Sequence, residues 1–442
     1  MKSRLNRTIR ARLLLTGPFS DFHAPRTDIG SSYGGFNLIE NGAIQIKHGK
    51  IAAIGRARQV LHAGDEAEDL GNAVVIPALV NSHTHLELSG AIQHHDRITR
   101  GRGFVPWVRS IMKQKALFLN QEAMVSHSME MALGGVLSAG DHGNSELAVI
   151  LKKRLSHILT FLAFQEIIHP AAGIPDYVTA FSKRLEAKAQ ANIAGSDEDP
   201  ILSIACHSPF LCSPQVIGFA KEMSRKYGLP FSIHLAESPE ETEFLKNGRG
   251  PLYELMEERG RMPLPYSLPG KGPVEYLDSL GVLDKKTICI HCVQIGREDM
   301  KTLTGRGSWI SLCPRSNRFI GVGDAPAEQL FNMTDRICIG TDSLASNEDL
   351  DLFAEMAALA KICRNTNPAR ILQAATLGGA RALGLVKTKG SLKIGMDADL
   401  VVVPTDRLTR LDELMEFLVK ECHQIRHRFK VMRNGSWITA PD

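Results

Sequence analysis

The chain has 442 residues, 43% of them apolar and 23% charged, which is enough for a large core with a second domain and excludes a disordered polymer. Its formal charge of +4 is modest and its basic residues are dispersed, so no nucleic-acid partner is expected; the short group Lys152-Lys153-Arg154 reads as a solvated helix face. No apolar run of about 18 residues occurs, and MKSRLNRTIRARLLLTG has too short an apolar core for a signal peptide, so the expectation is a cytoplasmic protein with no membrane partner.

The N-terminal segment gives strand-like pieces, TIRARLLLTG and GAIQIKHGKIAAIG, whose expected turns at Gly49 and Gly55 suggest a small antiparallel sheet. The middle of the chain has another rhythm. Apolar or β-branched runs recur, each ending in polar residues: VVIPALVNSHTH, GVLSAGDHG, HILTFLAFQEIIH, ILSIACHSPF, LPFSIHLAES, TICIHCV, SWISLCPRSN and RICIGTDS. Segments of helical periodicity such as LNQEAMVSHSMEMALGG and SPQVIGFAKEMSRKYG lie between them. Eight strands with mostly helical crossovers predict a (β/α)8 TIM barrel, in which chemistry gathers at the carboxyl ends of the strands. At the far end, SLKIGMDADLVVVP and FKVMRNGSWI return to the first grammar, with Asn434-Gly435 as a hairpin turn. The expected organisation is α/β: a β-sandwich built from residues 1–75 and 385–442, with the barrel at 76–384 inserted between them.

The eight cysteines, Cys206, Cys212, Cys289, Cys292, Cys313, Cys338, Cys363 and Cys422, sit mostly in apolar segments and read as reduced thiols. Cys289 and Cys292 bracket His291, but ICIHCV reads as one buried strand with the two cysteines on opposite faces, which argues against a thiolate metal site. His83 and His85, two apart on an extended segment, point to the same side and can share a small ion. His234, His291 and Asp342 each end a later strand. Each alone is as readily a polar rim residue; together on one rim they offer imidazoles and a carboxylate to a borderline-soft divalent cation. Glu237 follows His234 by three residues, and its plain alternative is a surface acid in ESPEETEF.

HTHLELSG, HLAES, CPRSN and GTDS, with IGMDADLVVV near the end, resemble the signatures of the amidohydrolase superfamily from about Asn37 to Val403, and within it those of metal-dependent aminohydrolases. The resemblance implies that His83, His85, His234 and Asp342 bind one divalent metal, zinc or ferrous iron. It places His291 beside the attacking water and makes Glu237 the proton shuttle. His207 stands where binuclear members carry a bridging lysine, which favours one metal.

Three clusters remain for the substrate: Glu87 and Ser89; Phe104, Trp107 and Arg109; and Arg315, Ser316, Asn317 and Arg318. Aromatic anchoring and rim ion pairs are the structural alternatives, while aromatics can also cover a ring and an arginine can hold a carboxylate bidentately. HTHLELSG with FVPWV and CPRSNR is most similar to the aminodeoxyfutalosine deaminases of the menaquinone route. That similarity implies a purine nucleoside derivative as the small-molecule partner, with a homodimer allowed. HSPFLCSP resembles the S-adenosylhomocysteine and methylthioadenosine deaminases and implies a substrate contact for His207, whose alternative is a cap at the strand exit. The residues LELSG depart from those relatives. Deaminases of guanine, cytosine or triazine-like rings, an amide or imide hydrolase, and a non-enzymatic binding protein stay open as alternatives.

Overall fold

A computed structural model describes residues 6–17, 32–33, 35–190, 201–260, 268–405 and 410–439. The chain divides into two compact units, one of Met1–Asn81, Ser128–Ser138 and Asp351–Asp442, the other of Ser82–His127 and Ala139–Leu350. Residues 76–81, 128–138 and 351–384, which the sequence reading gives to the barrel domain, thus group with the termini.

In the terminal unit, both ends of the chain enter one nine-stranded mixed sheet. Arg7–Thr16 pairs antiparallel with Phe36–Lys47 and parallel with Ala73–Pro77, which receives Leu400–Pro404 antiparallel. Ile9, Leu14, Ile44, Val75, Leu400 and Met432 meet in its apolar core. The hairpin at Asn434-Gly435 forms with both residues at positive φ, 45° and 77°, as a two-residue turn between right-twisted strands requires. Gly49 turns as expected, whereas Gly55 lies within the strand Lys50–Arg56, paired with Ala43.

The second sheet has eight parallel strands: β1 (Leu79–Thr84), β2 (Val136–Gly143), β3 (Thr160–Ile167), β4 (Ile201–Cys206), β5 (Phe231–Leu235), β6 (Thr287–His291), β7 (Trp309–Leu312) and β8 (Ile337–Ile339). They follow one another in chain order, and a parallel bridge between Thr84 and Asp342 brings the last strand's exit to the first. The backbone amides of Thr341 and Asp342 donate to the His83 carbonyl at 3.0 and 3.1 Å, completing the barrel-like closure. The run VVIPALVNSHTH is two strands rather than one: Ala73–Pro77 belongs to the terminal sheet and β1 to the barrel.

Crossover helices carry the expected end signals. Pro214–Tyr227 starts at Ser213, whose hydroxyl accepts from the Val216 amide, and stops at Gly228 in the left-handed conformation, which glycine adopts without steric cost. One helix departs from expectation. In Glu146–Leu155 only Lys153 and Arg154 of the basic trio are exposed; Lys152 is 2% exposed and its ammonium lies 2.6 Å from an Asp141 carboxylate oxygen.

All eight cysteines are buried, and none is in a disulfide. Among the described residues no cysteine joins a group of metal donors, and no helix is long and apolar enough to cross a membrane.

Candidate active site

The carboxyl ends of β1, β5, β6 and β8 bring His83, His85, His234, His291 and Asp342 into one buried cluster. Three overlapping groups have donor atoms within 4.8 Å of one another: His83, His234 and His291; His83, His85 and Asp342; and His85, Glu166 and His234. The His85 and His234 Nε2 atoms are 3.4 Å apart, and Asp342 Oδ1 lies 3.5 Å from His83 Nε2 and 3.7 Å from His85 Nε2. Bonds of about 2.0–2.1 Å to a tetrahedral zinc would space neighbouring donors by about 3.3 Å, so the spacing fits a single divalent ion.

The donors are aimed by their other contacts. His234 Nδ1 donates to the His207 carbonyl at 2.6 Å, which leaves Nε2 turned to the cluster. Asp342 Oδ2 accepts from the Ser316 and Ser346 hydroxyls, each at 2.7 Å, and leaves Oδ1 for the imidazoles. Burial first, then neighbouring imidazoles, holds His85 and His234 well below the usual histidine range, so both offer neutral nitrogens. Burial pushes the Asp342 carboxyl up, but the hydrogen bond and charge of His83, helped by His85 and His291, prevail and keep it well below the carboxylate range. Ala236, His291 and Asp342 stand at φ of 51°, 69° and 58°. Positive φ at non-glycine residues costs about 1–3 kcal/mol each, and its concentration at these strand exits marks where the fold holds side chains against local preference.

Glu237 follows β5 and is buried; its Oε1 is 3.6 Å from His291 Nε2. Burial, then the charges of Asp342, Glu241 and Glu240, holds its carboxyl well above the ordinary range. Glu241, in the first turn of the helix Pro239–Asn247, accepts from the Glu237 amide at 2.9 Å, and burial lifts its own carboxyl to about 8. His291 Nδ1 donates to Asn317 Oδ1 at 2.9 Å, and the ring, driven down to about 4 chiefly by burial, is neutral with its Nε2 lone pair facing Glu237.

Beside this cluster lies a cavity of about 250 Å³. Glu87, Phe104, Trp107 and His207, the expected substrate residues, are on its lining, and Phe210, Leu252 and Leu255 extend the apolar wall that Phe104 begins. Glu87 Oε2 accepts from the Asn144 and Ser145 amides at 3.3 and 3.1 Å; Gly143 permits this approach, since a Cβ there would stand 2.9 Å from that oxygen. The indole N–H of Trp107 is fixed on the Ala345 carbonyl at 2.9 Å, and His207 stacks on His234 with centroids 4.7 Å apart.

Four expected substrate contacts are not on the cavity wall. Arg109 grips Glu258 through both terminal nitrogens, at 2.7 and 2.9 Å; Arg315 pairs with Asp349; Asn317 is spent on His291; and Ser89 is buried elsewhere. Arg318 is likewise held by Asp324. Among the described residues, the arginine that lines the cavity is Arg259, just past the helix Pro251–Glu258. Glu166 at the end of β3 also lines it, and His142 at the end of β2 touches His83; sequence reading missed both, although FLAFQEI and SAGDHG place them at the same rim as the chosen residues.

The model of the amidohydrolase family matches residues 74–436. The chain belongs to the amidohydrolase family. This amidohydrolase is 28% identical over 385 residues to the 5-methylthioadenosine/S-adenosylhomocysteine deaminase of Syntrophobacter fumaroxidans, covering 82% of this chain and 80% of that one. It is also 28% identical over 344 residues to the aminodeoxyfutalosine deaminase of Deinococcus radiodurans, covering 74% and 77%. Among solved structures, Helicobacter pylori aminofutalosine deaminase in complex with methylthio-coformycin is similar in fold, with a TM-score of 0.79 at 21% identity and coverage of 98% and 100%. Family and donor set together make the amidohydrolase a metal-dependent hydrolase of C–N bonds. Stripping divalent metal with a chelator is therefore expected to abolish turnover and zinc or ferrous iron to restore it; undiminished activity in protein shown to be metal-free would contradict the donor set.

Proposed function

We propose that the protein hydrolytically deaminates a 6-aminopurine nucleoside carrying an extended 5′ substituent, with 6-amino-6-deoxyfutalosine, converted to futalosine and ammonia in the menaquinone route, as the substrate. The observation that carries this reading is the joining of a buried nitrogen and oxygen donor set, with Glu237 and His291 beside it, to an apolar cavity wall built around Phe104 and Trp107. The ring undergoing attack sits at the polar end, and the apolar wall takes the rest of the ligand.

His83, His85, His234 and Asp342 would hold a divalent ion, whose chemistry would be to make a bound water acidic near neutral pH. Asp342 Oδ1 orients the attacking water and takes its proton. Glu237 enters protonated and gives its proton to the purine ring nitrogen as the water oxygen bonds to the adjacent carbon. The C–N bond to the exocyclic amine then breaks as the proton held by Asp342 passes to the departing nitrogen, and Glu237 takes back a proton from the new hydroxyl as it becomes the carbonyl, so that ammonia leaves and both carboxyls are restored. With its Nδ1 hydrogen committed to Asn317, neutral His291 accepts at Nε2, so its role is to hold the proton of the water or of Glu237 in line rather than to donate to an oxyanion.

Similarity to the methylthioadenosine and S-adenosylhomocysteine deaminase of S. fumaroxidans, which extends over more of the chain than the aminodeoxyfutalosine match, favours adenosine thioethers as a second reading. Ammonia release from aminodeoxyfutalosine, methylthioadenosine, S-adenosylhomocysteine, adenosine, guanine and cytosine decides between them. Efficient use of the thioethers with an inert carboxyphenyl compound overturns the first reading, and inertness of every purine overturns both. Arg259, on the cavity wall, rather than Arg109 or Arg315, is the guanidinium assigned to a substrate carboxylate. Arg259→Gln should lower kcat/KM for a carboxylated substrate by roughly 10-fold or more, the worth of a hydrogen bond to a charged group, and leave a neutral analogue nearly unchanged. Equal loss on both would withdraw that role.

A further inference from the structure

We infer that His142, on β2, is a positioning residue that fixes the ring tautomer of His83 and so sets the metal affinity of the site; the inference rests on the reading of His83 as a metal ligand. His83 Nδ1 and His142 Nδ1 lie 3.1 Å apart in the interior, with the two residues 0% and 1% exposed. Two ring nitrogens at that distance share one hydrogen, so one donates and the other accepts. The opposite nitrogen of His83, Nε2, faces Asp342 Oδ1 at 3.5 Å, within the donor cluster. For that nitrogen to offer a lone pair to a cation, the hydrogen of His83 must sit on Nδ1 and be given to His142. His142 therefore accepts at Nδ1 and carries its own hydrogen on Nε2.

The acceptor is held rigidly. The His142 ring stacks on Phe164 of β3, with centroids 4.4 Å apart and planes 14° from parallel, and meets the His83 ring at 66° with centroids 4.5 Å apart. The preceding residue grips the same stretch of β1 from its backbone: Asp141 Oδ1 accepts from the Leu86 amide at 2.8 Å, immediately after His85, while Oδ2 faces the Lys152 ammonium. Consecutive residues at the end of β2 thus fix the ring of His83 and the chain just past His85. A metal-binding histidine commonly directs its second nitrogen to a carboxylate or a carbonyl. Here a neutral imidazole does that work, and it orients the ligand without placing another negative charge next to Asp342.

The test compares His142→Phe, which keeps the flat volume against Phe164 but offers no acceptor, with His142→Asn, whose amide oxygen can still accept. Cobalt(II) affinity of the full-length protein is measured by competition with a chromophoric chelator, beside thermal unfolding of the metal-free forms. The phenylalanine variant is expected to bind cobalt about 10- to 100-fold more weakly and the asparagine variant within a few-fold of the parent, with similar unfolding temperatures. Cobalt binding by His142→Phe as tight as the parent's, or equal losses in both variants, overturns the inference and leaves His142 a packing residue. Should the phenylalanine variant fail to fold, nitrogen-15 shifts of His83 in the zinc-loaded parent decide, since an unprotonated Nδ1 is incompatible with donation to His142. Failure of the parent itself to bind cobalt or zinc refutes instead the ligand assignment of His83.

Discussion

Glu237→Gln is expected to lower kcat by about 10²- to 10⁴-fold, the range for removing a positioned general acid–base group, while metal content and substrate affinity stay near those of the parent. Glutamine keeps the shape and can still hydrogen-bond, but it cannot give a proton to the ring nitrogen or take one back as the carbonyl forms. Glu237 is suited to that task because burial and three neighbouring carboxylates hold its proton well beyond the ordinary carboxylate range. The sign of the pH effect follows: the protonated form is the competent one, so kcat/KM falls as pH rises through the Glu237 pKa, and the glutamine variant loses that limb. Steady-state rates, a pH profile and metal analysis check the point together; a variant retaining more than a tenth of parental kcat rules out the proton-shuttle role.

The second large effect concerns stability. Lys152→Met should destabilise the protein by about 3–5 kcal/mol, because it leaves the Asp141 carboxylate, 0% exposed, without its cation. Adding Asp141→Asn should recover part of the loss, since the amide is uncharged and its oxygen can still accept from the Leu86 backbone. Urea unfolding of the two variants and the parent measures this. A single variant with the parent's midpoint and slope would show that Asp141 is neutralised by other means.

Much of the barrel was legible because each strand is a short apolar run that ends in polar residues, and the candidate metal donors lie at those ends. The division of VVIPALVNSHTH was not legible. Every residue of Ala73–Pro77 and of β1 is buried, so no alternation betrays the change of sheet at Ala78. The same limit explains Lys152, whose neighbours Lys153 and Arg154 are exposed and whose partner Asp141 is known only once β2 and the following helix are packed. Arginines were the least legible group. Arg109 and Arg315 find Glu258 and Asp349 at separations of 149 and 34 residues, and no local pattern announces such pairs. His142 and Glu166 were legible in principle, since both sit at strand exits of the rim already under suspicion; what was missing was a motif to single them out.

The bridge between Thr84 and Asp342 also bears on the order in which the protein matures. The donors His83 and His85 are made early in synthesis and Asp342 late, after all eight barrel strands have been translated. A nascent chain can fold its first strands and still offer a cation only a partial set of ligands. The full candidate donor set therefore comes together only when the last strand lies beside the first.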